Sequence, residues 1–525
     1  MPTPRALRAL LLALCLTAPA SAAGLPEPVK TSGGPIVGVP GADPSVRVFK
    51  GIPFAQPPIG DLRWKPPQPP APWSGLRVAD HFGDNCMQRQ ANGAAFPPYG
   101  GDRSATTMSE DCLYLNVYTT AASPSARQPV MVWIHGGAWT SGSGPIYQGE
   151  DLAKKGVVYV SLNYRLGVFG FLAHPELTKE SSTHSSGNYA ILDQIAALKW
   201  VQQNIAAFGG DPTRVTIFGE SAGSWSVQSL VASPLAKGLF HRAIGESGGR
   251  YAITTTLAQA EQAGQRFATT TAASPTLADL RRLPAAQLNE LGARQGAAPS
   301  VANADGWVLP ATMLEIFASG RQNDVPTLIG SNADEGSIFT PATTTGATFR
   351  EQATRRWVAR AEAFLALYPF ATDQEARLAQ AHSMRDQTFG WEMRTWARLQ
   401  AKTGKAPVYL YYFSHVPPLP NAAWLGAQHG AEIPYALNWP NGTYSSTVAW
   451  TAADRTLADQ VSQYWVNFAT TGTPNGRGLP EWPAFDPKDE KALGIGDTLA
   501  IIAVPHKAAL DFLDGAAQGA AGTRQ

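Results

Sequence analysis

Residues 215–227 read Val-Thr-Ile-Phe-Gly-Glu-Ser-Ala-Gly-Ser-Trp-Ser-Val, a β run that enters Gly-x-Ser-x-Gly and a helical pattern that leaves it. This stretch limits the chain more than any other. A strand that turns straight into a helix calls for a sheet with helices on its faces, and a serine in so sharp a turn sits on strained backbone. Glycines at 219 and 223 keep side chains from clashing with the strand or the helix. The turn lifts the Ser221 hydroxyl above the sheet and aims the Ala222 N–H at negative charge developing there. Gly245-Glu246-Ser247-Gly248-Gly249 fits the same pattern and follows a short β run over 242–245, but Gly248-Gly249-Arg250 starts no convincing helix. Ser221 is therefore the candidate nucleophile, and Ser247 reads as an ordinary turn serine.

Further apolar runs of buried-strand length lie at 130–134, 157–162, 214–218, 326–330 and 408–413. Between the second and third, Ile191, Leu192, Ile195, Leu198, Trp200, Val201 and Ile205 recur at helical spacing, and Gly209-Gly210-Asp211-Pro212 ends that helix. Short β runs alternating with helical patterns predict an α/β fold with a large, mostly parallel central sheet flanked by helices. Residues 340–405 read as mostly helical, with Trp357, Phe364, Leu365 and Leu367 as core. No repeat or low-complexity linker divides the chain, so residues 24–525 are expected to form a single domain carrying helical insertions.

The run at 130–134 ends in His135-Gly136-Gly137-Ala138-Trp139. Two consecutive glycines let the backbone approach a substrate carbonyl, and the Gly136 and Gly137 N–H groups can converge with that of Ala222. Preorganised donors of this kind contribute about 3 kcal/mol each to transition-state stabilisation. A serine on such an elbow is followed in the chain by Asp or Glu and then by His. Five histidines come after Ser221. His241 leaves no room for the acid, His382 reads as a surface residue and His506 begins the last helix. His429, in a glycine-flanked loop, and His415, at a strand end, remain as candidate bases. Asp334 and Glu335 follow a predicted strand end, and spacing does not choose between them as the acid.

The first 23 residues read as a secretory signal: Arg5 and Arg8, an apolar core over 9–16 that contains Cys15, then Ala20-Ser21-Ala22 as a cleavage site. Cleavage near Ala22/Ala23 would deliver the chain to the periplasm or outside the cell. It would also turn 41 basic against 40 acidic side chains into 39 against 40 and remove one of three cysteines. A near-zero balance offers no field for steering toward phosphate backbones, so nucleic acid is not an expected partner. Mean hydropathy of −0.14 excludes a membrane-embedded bundle, and no later apolar stretch is long enough to span a membrane. No Cys/His cluster has metal-ligand spacing, and the chemistry needs no metal or organic cofactor. The sequence leaves the oligomeric state open.

Several motifs coincide with these features: Phe49-Lys50-Gly51-Ile52-Pro53-Phe54-Ala55, Ser109-Glu110-Asp111-Cys112-Leu113-Tyr114-Leu115-Asn116, Gly187-Asn188-Tyr189, Phe208-Gly209-Gly210-Asp211-Pro212 and the elbow itself. With them the chain resembles the type-B carboxylesterases, the family that includes the cholinesterases, from about Val37 to Phe512. The resemblance implies an α/β-hydrolase fold and hydrolysis of a small-molecule carboxylic ester through an acyl-enzyme on Ser221. It also implies Glu335 as acid, His429 as base, and Ser247 and Glu220 as supporting neighbours, although Glu246 stands where many members carry Gln. It places a disulfide between Cys86 and Cys112, closing a loop at the active-site entrance. That loop lacks the Trp with which cholinesterases hold a quaternary ammonium, which argues against a choline ester. Phe96, Tyr99, Arg89 and Arg103 lie in it, and either arginine could meet an acidic substrate. A lipase acting at interfaces and a non-catalytic binding module are the competing readings. Asn441-Gly442-Thr443 is a glycosylation sequon.

Overall fold

A computed structural model of the chain describes residues 25–88, 107–251, 255–270, 276–294, 301–442 and 448–522. The expected signal over 1–23, most of the loop between the two cysteines with Arg89, Phe96, Tyr99 and Arg103, and Thr443 of the sequon lie outside the described residues.

Eleven strands form one sheet: β1 (Val39–Pro40), β2 (Arg47–Pro53), β3 (Tyr114–Thr119), β4 (Gln128–Ile134), β5 (Val158–Leu162), β6 (Gly210–Glu220), β7 (Arg242–Glu246), β8 (Thr327–Asn332), β9 (Val408–Phe413), β10 (Lys491–Ile495) and β11 (Leu499–Ala503). In space they run β11-β10-β9-β8-β7-β6-β4-β5-β3-β2-β1. The pairings from β10 through β5 are parallel, and those at both edges are antiparallel. A parallel centre with helices on both faces is buried from two sides, which is why its strands read as unbroken apolar runs rather than alternating ones. Along β4 the two faces separate cleanly. Val130, Val132 and Ile134 join one apolar cluster, Met131 and Trp133 the other, and all five are fully buried.

The helix foreseen at 188–208 runs as α1 (Tyr189–Asn204) with a short 3-10 turn to Phe208. Helix α2 (Ala222–Ala232) follows β6 directly and packs on β6 and β7. The helical stretch expected over 340–405 contains α3 (Asp373–Met384) and α4 (Trp391–Thr403), joined by a π-helical segment at Arg385–Gly390. It builds a separate small apolar cluster in which Phe364 and Leu365 are buried, whereas Trp357 and Leu367 are only partly so. His382 on α3 is half-buried rather than a surface residue, because the turn of α3 directs it toward Arg385 and His506. Helix α5 (Ala452–Thr471) packs Trp465 and Phe468 against the other face of the sheet.

Cys86 and Cys112 form a disulfide with their Cα atoms 5.0 Å apart. No described helix is long and apolar enough to cross a membrane.

Candidate active site

The two Gly-x-Ser-x-Gly matches stand side by side. Register pairs Gly219 with Gly245 and Glu220 with Glu246 across β6 and β7, and Glu246 with Gly330 on β8. Strands β6 and β7 thus end at one level, and β8 runs two residues beyond it. Ser221 N–H donates to the Glu246 carbonyl (2.8 Å), and Ser247 N–H to the Gly330 carbonyl (2.8 Å). Both serines have left-handed backbone, with φ of 58° at Ser221 and 52° at Ser247. Such residues cost about 1–3 kcal/mol each and persist only where their surroundings hold them. The glycines around Ser221 follow from a close approach: a Cβ on Gly219 or Gly223 would run into the Ile134 carbonyl oxygen of β4.

That approach also sets the loop after β4 beside the elbow. A Cβ on Gly136 would stand 2.7 Å from the Glu220 carbonyl oxygen and 3.1 Å from the Ser221 Cβ. No acceptor takes the N–H of Gly136, Gly137 or Ala138 among the described residues, and Ala222, first in its helix, has no intrahelical partner for its own. Ala138, which the sequence did not single out, therefore extends the row of open donors, and unlike Gly136 it is exposed. His135 is not part of the chemistry. Its Nδ1 contacts the Gly136 carbonyl at 2.8 Å, its ring stacks on Tyr164 (4.3 Å), and burial pushes its pKa down to about 4.

Among the candidate bases, His429 and not His415 reaches the acid loop. His429 Nδ1 lies 2.5 Å from Glu335 Oε2, and Glu335 Oε1 accepts the Asn332 N–H at 2.8 Å. Asp334 serves the histidine loop from the other side, where its Oδ2 accepts the Ala427 N–H at 2.9 Å. His415 has both ring nitrogens on carboxylates elsewhere, Asp454 at 2.8 Å and Asp497 at 2.9 Å. Phe389 of the π-helical segment and Phe339 close over the His429 ring, with centroids at 4.6 Å and 5.2 Å.

Around this pair the site is unusually rich in buried carboxyl groups. Glu220, Glu246, Glu335 and Glu432 are all essentially inaccessible. His429 Nε2 lies 3.1 Å from Glu220 Oε1. Ser247 Oγ donates to Glu432 Oε1 (3.3 Å), Asn332 Nδ2 bonds the other Glu432 oxygen, and Trp465 Nε1 donates to Glu246 Oε1 (2.9 Å). Ser247 thus touches Glu432 directly. Nothing local in the sequence marks Glu432, which meets Ser247 from 185 residues away. Burial pushes Glu220 well above the usual carboxyl range, Glu246 to about 8 and Glu432 to about 7, the last also under repulsion from Glu335. For His429 burial acts downward, but Glu220, Glu335 and Glu432 outweigh it and raise the imidazole to about 9.

The profile described as the carboxylesterase family matches residues 26–513. The chain is 38% identical over 493 residues to the fumonisin B1 esterase of Sphingopyxis macrogoltabida, covering 90% of this chain and 88% of that one. It is 36% identical over 540 residues to a liver carboxylesterase of Sus scrofa, covering 93% of each. Among solved structures, a PNB esterase superposes with a TM-score of 0.79 at 32% identity, covering 92% of this chain and 99% of that one. The fold is that of the α/β-hydrolases, as the sheet order and flanking helices indicate.

Proposed function

The chain belongs to the carboxylesterase family and is a carboxylic-ester hydrolase; we propose that it is an exported one that works through an acyl-enzyme on Ser221 with His429 as base and Glu335 as acid. The observation that carries this reading is the 2.5 Å contact between His429 Nδ1 and Glu335, set above the same strand ends as the strained Ser221 turn. In this mechanism His429 Nε2 takes the Ser221 proton as Oγ attacks the ester carbonyl. The N–H groups of Gly137, Ala222 and their loop neighbours Gly136 and Ala138 are the donors available to the oxyanion. The imidazolium then protonates the leaving alcohol, and water repeats the cycle on the acyl-enzyme.

A Glu335 that holds His429 in one tautomer matters most when charge develops on the ring. Glu335→Gln is expected to lower kcat by about 10⁴-fold, by analogy with amide replacement of the acid in other serine triads. The test is turnover of a panel of esters graded by acyl length, with the variant checked for an unchanged fold. Wild-type rates in that variant would overturn the assignment of the acid. Export is tested separately by N-terminal sequencing of the protein recovered outside the cytoplasm, which should begin near Ala23.

A further inference from the structure

Five arginines are buried among the described residues: Arg63, Arg165, Arg250, Arg385 and Arg394. Four of them are paired with a carboxylate, Arg63 with Glu110 at 2.5 Å, Arg165 with Asp193 at 2.7 Å, Arg385 with Asp386 at 2.7 Å and Arg394 with Glu490 at 2.6 Å. That is what burial of a permanent charge ordinarily requires. Arg250 is the exception. It is 8% exposed, and its guanidinium has neither a carboxylate within 4.0 Å nor a hydrogen-bond acceptor among the described residues. Glu392, the acid that acts on it from a distance, gives its Oε2 to the Tyr251 N–H instead. Burial lowers the Arg250 pKa to about 10, which still leaves it charged at neutral pH.

What holds Arg250 is aromatic, and the rings belong to the catalytic elements. Its guanidinium lies 4.6 Å from the Trp225 ring and 5.2 Å from the Trp139 ring, and the two indoles meet edge to face at 5.4 Å. Trp225 is one turn along α2 from Ser221, whose carbonyl accepts the Trp225 N–H at 3.0 Å. Trp139 follows Gly136, Gly137 and Ala138 directly. The backbone that delivers Arg250 is equally close, because Gly248 backs onto the Ser221 carbonyl and Arg250 N–H donates to Gln228 Oε1 of α2 (2.9 Å). A guanidinium held against ring faces does not use up its hydrogen-bond donors there, so its five N–H groups remain to be given elsewhere. A charge with no anionic partner among the described residues, set beside the helix that follows Ser221 and the loop of Gly136 and Gly137, is arranged for an anion that arrives with the substrate.

We infer that Arg250, packed against Trp139 and Trp225, is a specificity-determining residue that binds a free carboxylate on the substrate, so that the enzyme prefers esters of dicarboxylic or polycarboxylic acids. A carboxylate matches the planar fork in bidentate geometry, which a neutral isostere does not. The inference rests on the esterase reading above and adds the substrate class to it.

The test compares kcat/KM for monomethyl glutarate with that for its neutral amide isostere, methyl glutaramate. The wild-type protein is expected to favour the carboxylate ester by at least about tenfold, the span of one good charge-assisted contact. In Arg250→Gln that ratio should fall to about one or below, and in Arg250→Lys it should be intermediate, because an ammonium keeps the charge but loses the fork. Free glutarate should inhibit wild-type hydrolysis of the amide ester competitively, a readout that does not depend on any variant folding. A wild-type ratio at or below one, a ratio unchanged in Arg250→Gln, or no competition by glutarate would each overturn the inference. If neither ester is hydrolysed, the esterase reading itself fails.

Discussion

The Nε2 atom of His429 lies 3.1 Å from Oε1 of Glu220, the residue just before Ser221. The ring is thus set between two carboxyl groups, Glu335 at one nitrogen and Glu220 at the other. Both favour the imidazolium over the neutral ring.

A consequence is a displaced pH profile. The base must be neutral to accept the Ser221 proton, so kcat/KM should rise with pH through the pKa of His429 in the free enzyme, raised to about 9. Glu220→Gln removes the carboxyl group that competes with Nε2 for one proton and whose charged form supports the imidazolium, so it lowers that pKa. The rising limb should therefore move to lower pH by about one unit or more. Profiles of the two proteins on a neutral ester check this, and a limb that stays in place or moves upward would contradict it.

Glu246 allows a stability test with a definite sign. Burial raises its folded-state pKa to about 8, with Glu432 adding to the effect, from an ordinary value of 4.5. Between these values the folded chain keeps a proton that the unfolded chain has lost. Its contribution is complete below about pH 4.5 and is lost as pH rises through about 8. Glu246→Gln keeps an acceptor for Trp465 Nε1 and removes the titration. The Tm of the variant should exceed that of wild type by a few degrees near pH 8, with the gap closing toward pH 4.5. Thermal melts across that range decide it; a variant less stable at pH 8 than at pH 4.5, relative to wild type, would refute the account.

The disulfide closes a 26-residue span. In the chain-entropy model such a link contributes about 3–4 kcal/mol, so Cys86→Ser/Cys112→Ser should melt several degrees lower. Thiol titration of denatured, unreduced protein recovered outside the cytoplasm should find no free thiol. One thiol would mean that Cys15 is retained, and two would mean that the Cys86–Cys112 link is absent.

Much of this architecture can be read from the chain because central parallel strands announce themselves. β4 is apolar at every position from Val130 to Ile134 since both its faces are covered. The elbow is legible for a similar reason, because only glycine fits where Gly219 and Gly223 meet the Ile134 carbonyl. The choice between His429 and His415 is not legible locally. It depends on Asp454 and Asp497, which reach His415 from 39 and 82 residues away. Glu432 and Asn332 escape for the same reason, since they form a network only once β8 and the histidine loop meet. Arg250 looks like a loop arginine in the sequence, and only its packing against Trp139 and Trp225 gives it meaning. At the sheet edges the signal is misleading: β1 has two residues, and β11 is apolar at every position yet largely open to solvent.

Ser221, and not its in-register neighbour Ser247, is expected to form the covalent intermediate. An organophosphate probe followed by peptide mapping measures this directly. One adduct is expected, on the peptide carrying Ser221, formed in step with loss of ester hydrolysis, with neither adduct nor turnover in a folded Ser221→Ala variant. An adduct on Ser247, or near wild-type turnover by Ser221→Ala, would contradict this assignment.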